Sequence, residues 1–189
     1  MDYKIEKLIT TEQRHQLLDV FNSKEAKLAH QDYNLFDVDK RHPTSEQSKM
    51  DCFKPFDDYA KDYKKSFQHY FLVYGPDSFT KFHTDNDEAV GLTLVTLLSK
   101  TDDLVGGEAL AILPYTKRVR PEGKYRKGKA PVDERVIPKV IAMEEGDTLA
   151  YGQHLMHGVG QVERGERIVL ISWYGRTDNE GYQIEKLPV

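Results

Sequence analysis

At 189 residues and 39% hydrophobic content, the chain can bury one core of ordinary size and not two. Its 27 basic and 31 acidic residues leave a formal net charge of −4, which excludes a surface coated in positive charge for nucleic acid but allows a local basic patch. No window reaches the ~18 apolar residues of a membrane span, the opening MDYKIEKLIT lacks a signal peptide's apolar run, and the single cysteine, Cys52, permits no internal disulfide. The expectation is one cytoplasmic domain over residues 1–189, with no membrane partner and an open oligomeric state.

In chain order, residues 1–67 read as a mostly helical support region. Thr10 or Thr11 can cap a helix whose apolar positions Leu17, Leu18, Phe21 and Leu28 recur at helical spacing. Residues 31–50 have the Asp, Asn, Ser and His-Pro composition of a loop. A second helix over 52–66 would carry the aromatic stripe Phe53, Phe56, Tyr59, Tyr63 and Phe67, most simply read as packing against a sheet.

From residue 68 the text changes to short Val-, Leu-, Ile-, Tyr- and Phe-rich runs separated by Gly, Asp and Asn. Strands are expected at 68–74, 79–83, 90–98, 107–113, 135–142, 148–151, 155–159 and 166–175. Many short strands without intervening helices point to an all-β sandwich or barrel over 68–175. Residues 115–131, YTKRVRPEGKYRKGKAP, interrupt it with dense positive charge and read as a solvated insert. Lys124, Arg126 and Lys127 in this insert are candidate contacts for an acidic substrate, and Tyr115 and Tyr125 leave a minor nucleic-acid reading open.

His83-Thr84-Asp85 closes an apolar segment, and on an extended strand positions i and i+2 share a face. An imidazole and a carboxylate can therefore converge on one point. Of the seven histidines, His154 and His157 lie near a later strand and could complete a set of two histidines and one carboxylate. On a continuous strand those two would face opposite ways, which makes them poor partners for the same ion. Such ligands suit non-haem Fe(II), and also zinc, manganese or nickel, and an isolated His-x-Asp can equally be a surface pair.

Four segments in order resemble the prolyl-4-hydroxylase-like branch of the iron(II)- and 2-oxoglutarate-dependent dioxygenases. They are YGPDSFTKFHTDN at 74–86, Gly106-Gly107-Glu108-Ala109-Leu110, Glu144-Glu145-Gly146-Asp147-Thr148-Leu149, and His157-Gly158-Val159 followed by Val162, Gly165, Arg167 and Trp173. The resemblance spans roughly 68–175 and implies a double-stranded β-helix, a jelly-roll, cupin-like barrel, with N-terminal helices. It implies Fe(II) on His83, Asp85 and His157. It implies the distal carboxylate of 2-oxoglutarate on Arg167 with help from Tyr74; many members of the branch have lysine where Arg167 stands. Asn86 and His154 are candidates for the substrate rim.

The implied activity couples decarboxylation of 2-oxoglutarate by dioxygen, giving succinate and carbon dioxide, to hydroxylation of an unactivated C–H bond. The substrate suggested by the resemblance is a peptide or protein, including a prolyl side chain, with a small amino acid next. Two other readings are a non-catalytic jelly-roll binding module and a zinc hydrolase. The second would need a base beside the metal, and nothing else in the sequence marks one.

Overall fold

The computed structural model describes residues 3–24, 27–33, 36–85, 90–112 and 138–176. In chain order these form β1 (Tyr3–Glu6), α1 (Thr11–Asn22), β2 (Lys27–Tyr33), β3 (Phe36–His42), α2 (Lys54–Tyr59), β4 (Lys64–Tyr74), β5 (Phe79–His83), β6 (Val90–Lys100), β7 (Val105–Gly106), β8 (Ala109–Ile112), β9 (Lys139–Ile141), β10 (Thr148–Gly152), β11 (Met156–Val159), β12 (Val162–Arg164) and β13 (Arg167–Gly175). Two 3-10 turns, Gln47–Lys49 and Asp51–Phe53, lead into α2.

Strand β13 reads RIVLISWYG, with almost no polar position, so both of its faces must be covered. They are. One antiparallel sheet runs β1-β10-β6-β13-β4-β3-β5-β11-β8-β9, with β2 added to β3, and β7 pairs separately with β12. The sheet curls until its ends approach each other: the Lys139 ammonium on β9 lies 5.5 Å from the ring centroid of Tyr3 on β1. This near-closed curl with helices outside is the double-stranded β-helix, the jelly-roll or cupin-like fold.

The two faces follow from strand alternation. In β13, Ile168, Leu170 and Tyr174 face out, onto Phe71 of β4, Leu92, Leu94 and Leu98 of β6, and the helices. Arg167, Val169, Ile171 and Trp173 face into the curl. Helix α1 is set by a capping box, in which Thr10 Oγ1 accepts from the Gln13 amide at 3.1 Å and Gln13 Oε1 accepts from the Thr10 amide at 2.9 Å. Its buried Leu17, Val20 and Phe21 pack with Phe53 and Phe56 on the sheet's outer face. Each such side chain contributes about 1.5–3 kcal/mol.

The expected helical support over 1–67 needs correcting in part. β1 lies at the edge of the sheet, Leu28 belongs to β2, and residues 36–42 form β3 inside the sheet. The aromatic stripe is divided, since α2 stops at Tyr59 and Phe67 belongs to β4. KLAHQDY and FDVDKRH are too polar to announce strands, and pairing fixes their place, β3 on β4 and β5 and β2 on β3. No described helix is long and apolar enough to cross a membrane.

The outer face also holds His69, with Nδ1 2.8 Å from Ser172 Oγ and its ring 4.9 Å from that of Phe53. Burial pulls its pKa from 6.5 to about 4, against the charge of Asp57. Between those values the unfolded chain takes up a proton that the folded chain refuses, so stability falls as the pH drops. From pH 7 to pH 5 the loss amounts to about 2 kcal/mol. Urea unfolding at both pH values should show that loss in wild type and a smaller one in His69→Asn. Equal acid sensitivity would mean that His69 is not the group responsible.

Candidate metal centre

β5 and β11 run antiparallel, and their register sets His83 directly opposite His157. Residues opposed across a ladder project from the same face, and the two imidazole centroids lie 4.3 Å apart. Asp85, two residues beyond His83, brings Oδ1 within 3.5 Å of His83 Nε2 and 3.8 Å of His157 Nε2. One ligand atom from each residue lies within 4.8 Å of the other two, a grouping that could hold a metal ion. The close approach depends on Gly158, because a Cβ there would meet the Thr80 carbonyl oxygen at 2.7 Å and force β11 away from β5.

The surroundings orient all three groups. His83 Nδ1 lies 2.9 Å from the Lys81 carbonyl, and His157 Nδ1 lies 2.9 Å from that of Leu155. A proton donated there leaves the Nε2 lone pair of each ring facing the cluster, the tautomer a metal requires. Thr93 Oγ1 donates to Asp85 Oδ2 at 2.7 Å, so Oδ1 is the oxygen left to the histidines. The Tyr151 hydroxyl lies 2.9 Å from His157 Nε2, its ring 4.6 Å from the imidazole.

Burial would raise the pKa of Asp85, which is 8% exposed, but the hydrogen bonds from His83 and Thr93 and the charge of His157 bring it below the usual carboxylate value. Burial lowers that of His157, opposed by Asp85 and assisted by His83. For His83 burial is outweighed by the Asp85 hydrogen bond, the Lys81 carbonyl and the Asp85 charge, and the net shift is upward. The cluster thus sets two histidine rings around a carboxylate held in its charged form.

The cluster borders a cavity of about 390 Å³ with an apolar wall that includes Val38, Leu72, Val95, Val159, Val169 and Ile171. Arg167, opposite Tyr74 in the β13–β4 register, also lines it and is only 5% exposed. Its Nη1 donates to the Gly107 carbonyl, while its Nε has no hydrogen-bond partner among the described residues. Gly106 and Gly107 have φ of 81° and 69°, so the turn that delivers this carbonyl favours glycine at both positions. The Tyr74 hydroxyl shares a 2.9 Å hydrogen bond with Thr80 Oγ1. A buried guanidinium with a spare N–H beside two hydroxyls fits a carboxylate.

The structure therefore brings His83, Asp85, His157, Arg167 and Tyr74 to one cavity. It does not bring His154, which is exposed in the turn before β11, does not line the cavity, and lies beside the Gln153 amide. A turn at 153–154 precedes β11, so His154 and His157 do not share one continuous strand and simple alternation does not relate them. Asn86 and the insert 115–131, with Lys124, Arg126 and Lys127, lie outside the described residues. Sequence reasoning missed Thr93, Tyr151, Thr80 and Lys40. The only available signal was their in-facing parity on strands.

No protein-family model matches the sequence, and no curated protein matches it either. Solved structures do resemble it. A prolyl-4-hydroxylase from Pseudomonas putida superposes with a TM-score of 0.67 at 12% identity, covering 93% of each chain. A prolyl hydroxylase from Trichoplax adhaerens, in complex with a hypoxia inducible factor peptide fragment, gives 0.65 at 12% identity over 93% of this chain and 84% of that one. HygX from Streptomyces hygroscopicus, with nickel, 2-oxoglutarate and hygromycin B bound, gives 0.62 at 13% identity over 94% and 84%. At these identities the likeness is one of fold. Fold and site together define a double-stranded β-helix protein with a two-histidine, one-carboxylate cluster at its inner cavity.

Proposed function

We propose that the chain is an Fe(II)- and 2-oxoglutarate-dependent dioxygenase of the prolyl-4-hydroxylase-like branch, hydroxylating an unactivated C–H bond of a peptide, protein or amino acid. One observation carries the reading: three ligand atoms within 4.8 Å of one another border a cavity that also holds a buried arginine with an unused donor. The metal-and-2-oxoglutarate state of HygX and the peptide complex of the Trichoplax adhaerens enzyme, on the same fold, support it.

In this reading His83 and His157 supply Nε2, Asp85 supplies Oδ1, and open positions remain for co-substrates. Bound iron would supply the activation of dioxygen, while the protein contributes placement and exclusion of water. Thr93 keeps Asp85 turned toward the histidines. Arg167 and Tyr74 receive the far carboxylate of 2-oxoglutarate, and the apolar wall keeps competing water from the site. A zinc hydrolase is less well supported. It would need a second carboxylate or other base, and Asp85 is the only acidic side chain among the described residues lining the cavity.

Protein loaded anaerobically with Fe(II) and 2-oxoglutarate should gain the visible charge-transfer band of an iron–keto-acid chelate and release succinate on admitting air. Mass spectrometry of candidate peptides and amino acids should then find one that gains an oxygen atom. Succinate release that does not depend on added iron, or no chelate at all, would overturn the proposal.

A further inference from the structure

Lys40 is the one cavity-lining cation besides Arg167 whose charge does not depend on a histidine proton. It sits on β3 opposite Leu72 of β4, and both face the cavity. Its ammonium stands 3.7 Å from the centroid of the Tyr70 ring, and that ring meets Trp173 edge-on at 5.5 Å. Among the described residues no carboxylate pairs with it. The only acid among the described residues lining the cavity is Asp85, whose oxygens face Thr93 and the histidines. Partial burial pulls the pKa of Lys40 below the usual lysine value.

Position adds direction. Arg167 and Trp173 are six residues apart on β13, about 20 Å along an extended strand. Trp173 is paired with Thr93, the residue that holds Asp85. Tyr70 and Trp173, the rings beside the Lys40 ammonium, therefore stand on rungs further along β13 from Arg167, while the Lys40 backbone is level with Val169. If a divalent ion, Asp85 and a dicarboxylate met Arg167, one positive charge among the described lining residues would stay unmatched, that of Lys40. Leaving it so is costly in an apolar enclosure.

We infer that Lys40 is the substrate anchor, and that the substrate carries a free carboxylate which pairs with its ammonium while an apolar body lies against Tyr70 and Trp173. This deepens the oxygenase reading and rests on it. It selects a free amino acid, or the terminal residue of a peptide, over a residue in mid-chain.

The probes are N-acetyl-L-valine, N-acetyl-L-leucine and N-acetyl-L-proline, each against its C-terminal amide. They are titrated by calorimetry into protein held anaerobically with Fe(II) and saturating 2-oxoglutarate. At least one acid should bind ~10-fold or more tightly than its amide. Lys40→Met, which keeps the apolar stem, should erase that preference, and Lys40→Arg should keep part of it. Thermal melts establish that both variants fold, and the 2-oxoglutarate titration of Lys40→Met should match wild type. Acids and amides that behave alike, including both failing to bind, would overturn the anchor. So would a Lys40→Met variant whose loss is confined to 2-oxoglutarate. If no iron–keto-acid chelate forms but a Lys40-dependent acid preference persists, the oxygenase reading falls and the anchor stands. A normal chelate without acid preference gives the reverse.

Discussion

Asp85→Ala is expected to form no succinate above background and to retain Fe(II) poorly, whereas His154→Ala keeps most of both. The carboxylate is the only anion among the three grouped ligands, so its loss removes a donor atom and the charge that offsets a divalent ion. The deficit in metal affinity should exceed the ~10–100-fold typical of losing an outer-sphere partner. His154 is exposed and outside the cavity, so its removal leaves the cluster untouched. Metal content after gel filtration and succinate in iron-saturated assays give two independent readings. Equal loss from both folded variants would show that His154 acts at the site after all.

The second large effect concerns Arg167. Its alanine variant leaves a dicarboxylate facing Tyr74, Thr80 and apolar wall, with Lys40 the one remaining lysine or arginine among the described lining residues. The expected loss in 2-oxoglutarate binding is about 2–5 kcal/mol, roughly 30-fold at the least. Arg167→Lys retains charge without the planar fork and should fall between wild type and alanine. Anaerobic titration of the iron complex gives the ranking, and alanine binding as tightly as wild type would assign the carboxylate to another residue. Because the guanidinium also donates to Gly107, a melt of each variant separates lost affinity from a loosened turn.

The barrel strands could be read because they are apolar over long stretches. β6 and β13 are covered on both faces, so their sequences are nearly continuous Val, Leu and Ile. β3 could not, since most of its residues are only half-buried and Val38 and Lys40 face the cavity. A lysine facing inward there looks like any surface lysine. His83 and Asp85 were legible as a candidate pair because positions i and i+2 share a face of an extended chain. The resemblance of the surrounding segments gave the pair its weight, although β5 itself ends at His83. That His157 stands across from His83 depends on the β5–β11 register, which no local pattern encodes. The contacts of Thr93 with Asp85 and of Tyr151 with His157 likewise join separate strands. Glu144–Asp147 shows the opposite case. Gly146 at φ 87° and Asp147 accepting the Glu144 amide at 2.7 Å make a turn whose residues announce it.

The rung that joins His83 to His157 gives the protein a chemical thermometer. These residues are far apart in the unfolded chain and adjacent in the folded one, so an ion they hold is a ligand of the native state almost alone. Its free concentration then becomes a term in the folding equilibrium, worth about 2.7 kcal/mol at one hundred times its dissociation constant. Melting temperatures recorded across manganese, iron, cobalt, nickel and zinc would rank the ions by affinity without a turnover. The order along that series would separate what the site prefers from what chemistry requires, since nitrogen and oxygen donors favour the later metals whether or not these can use dioxygen.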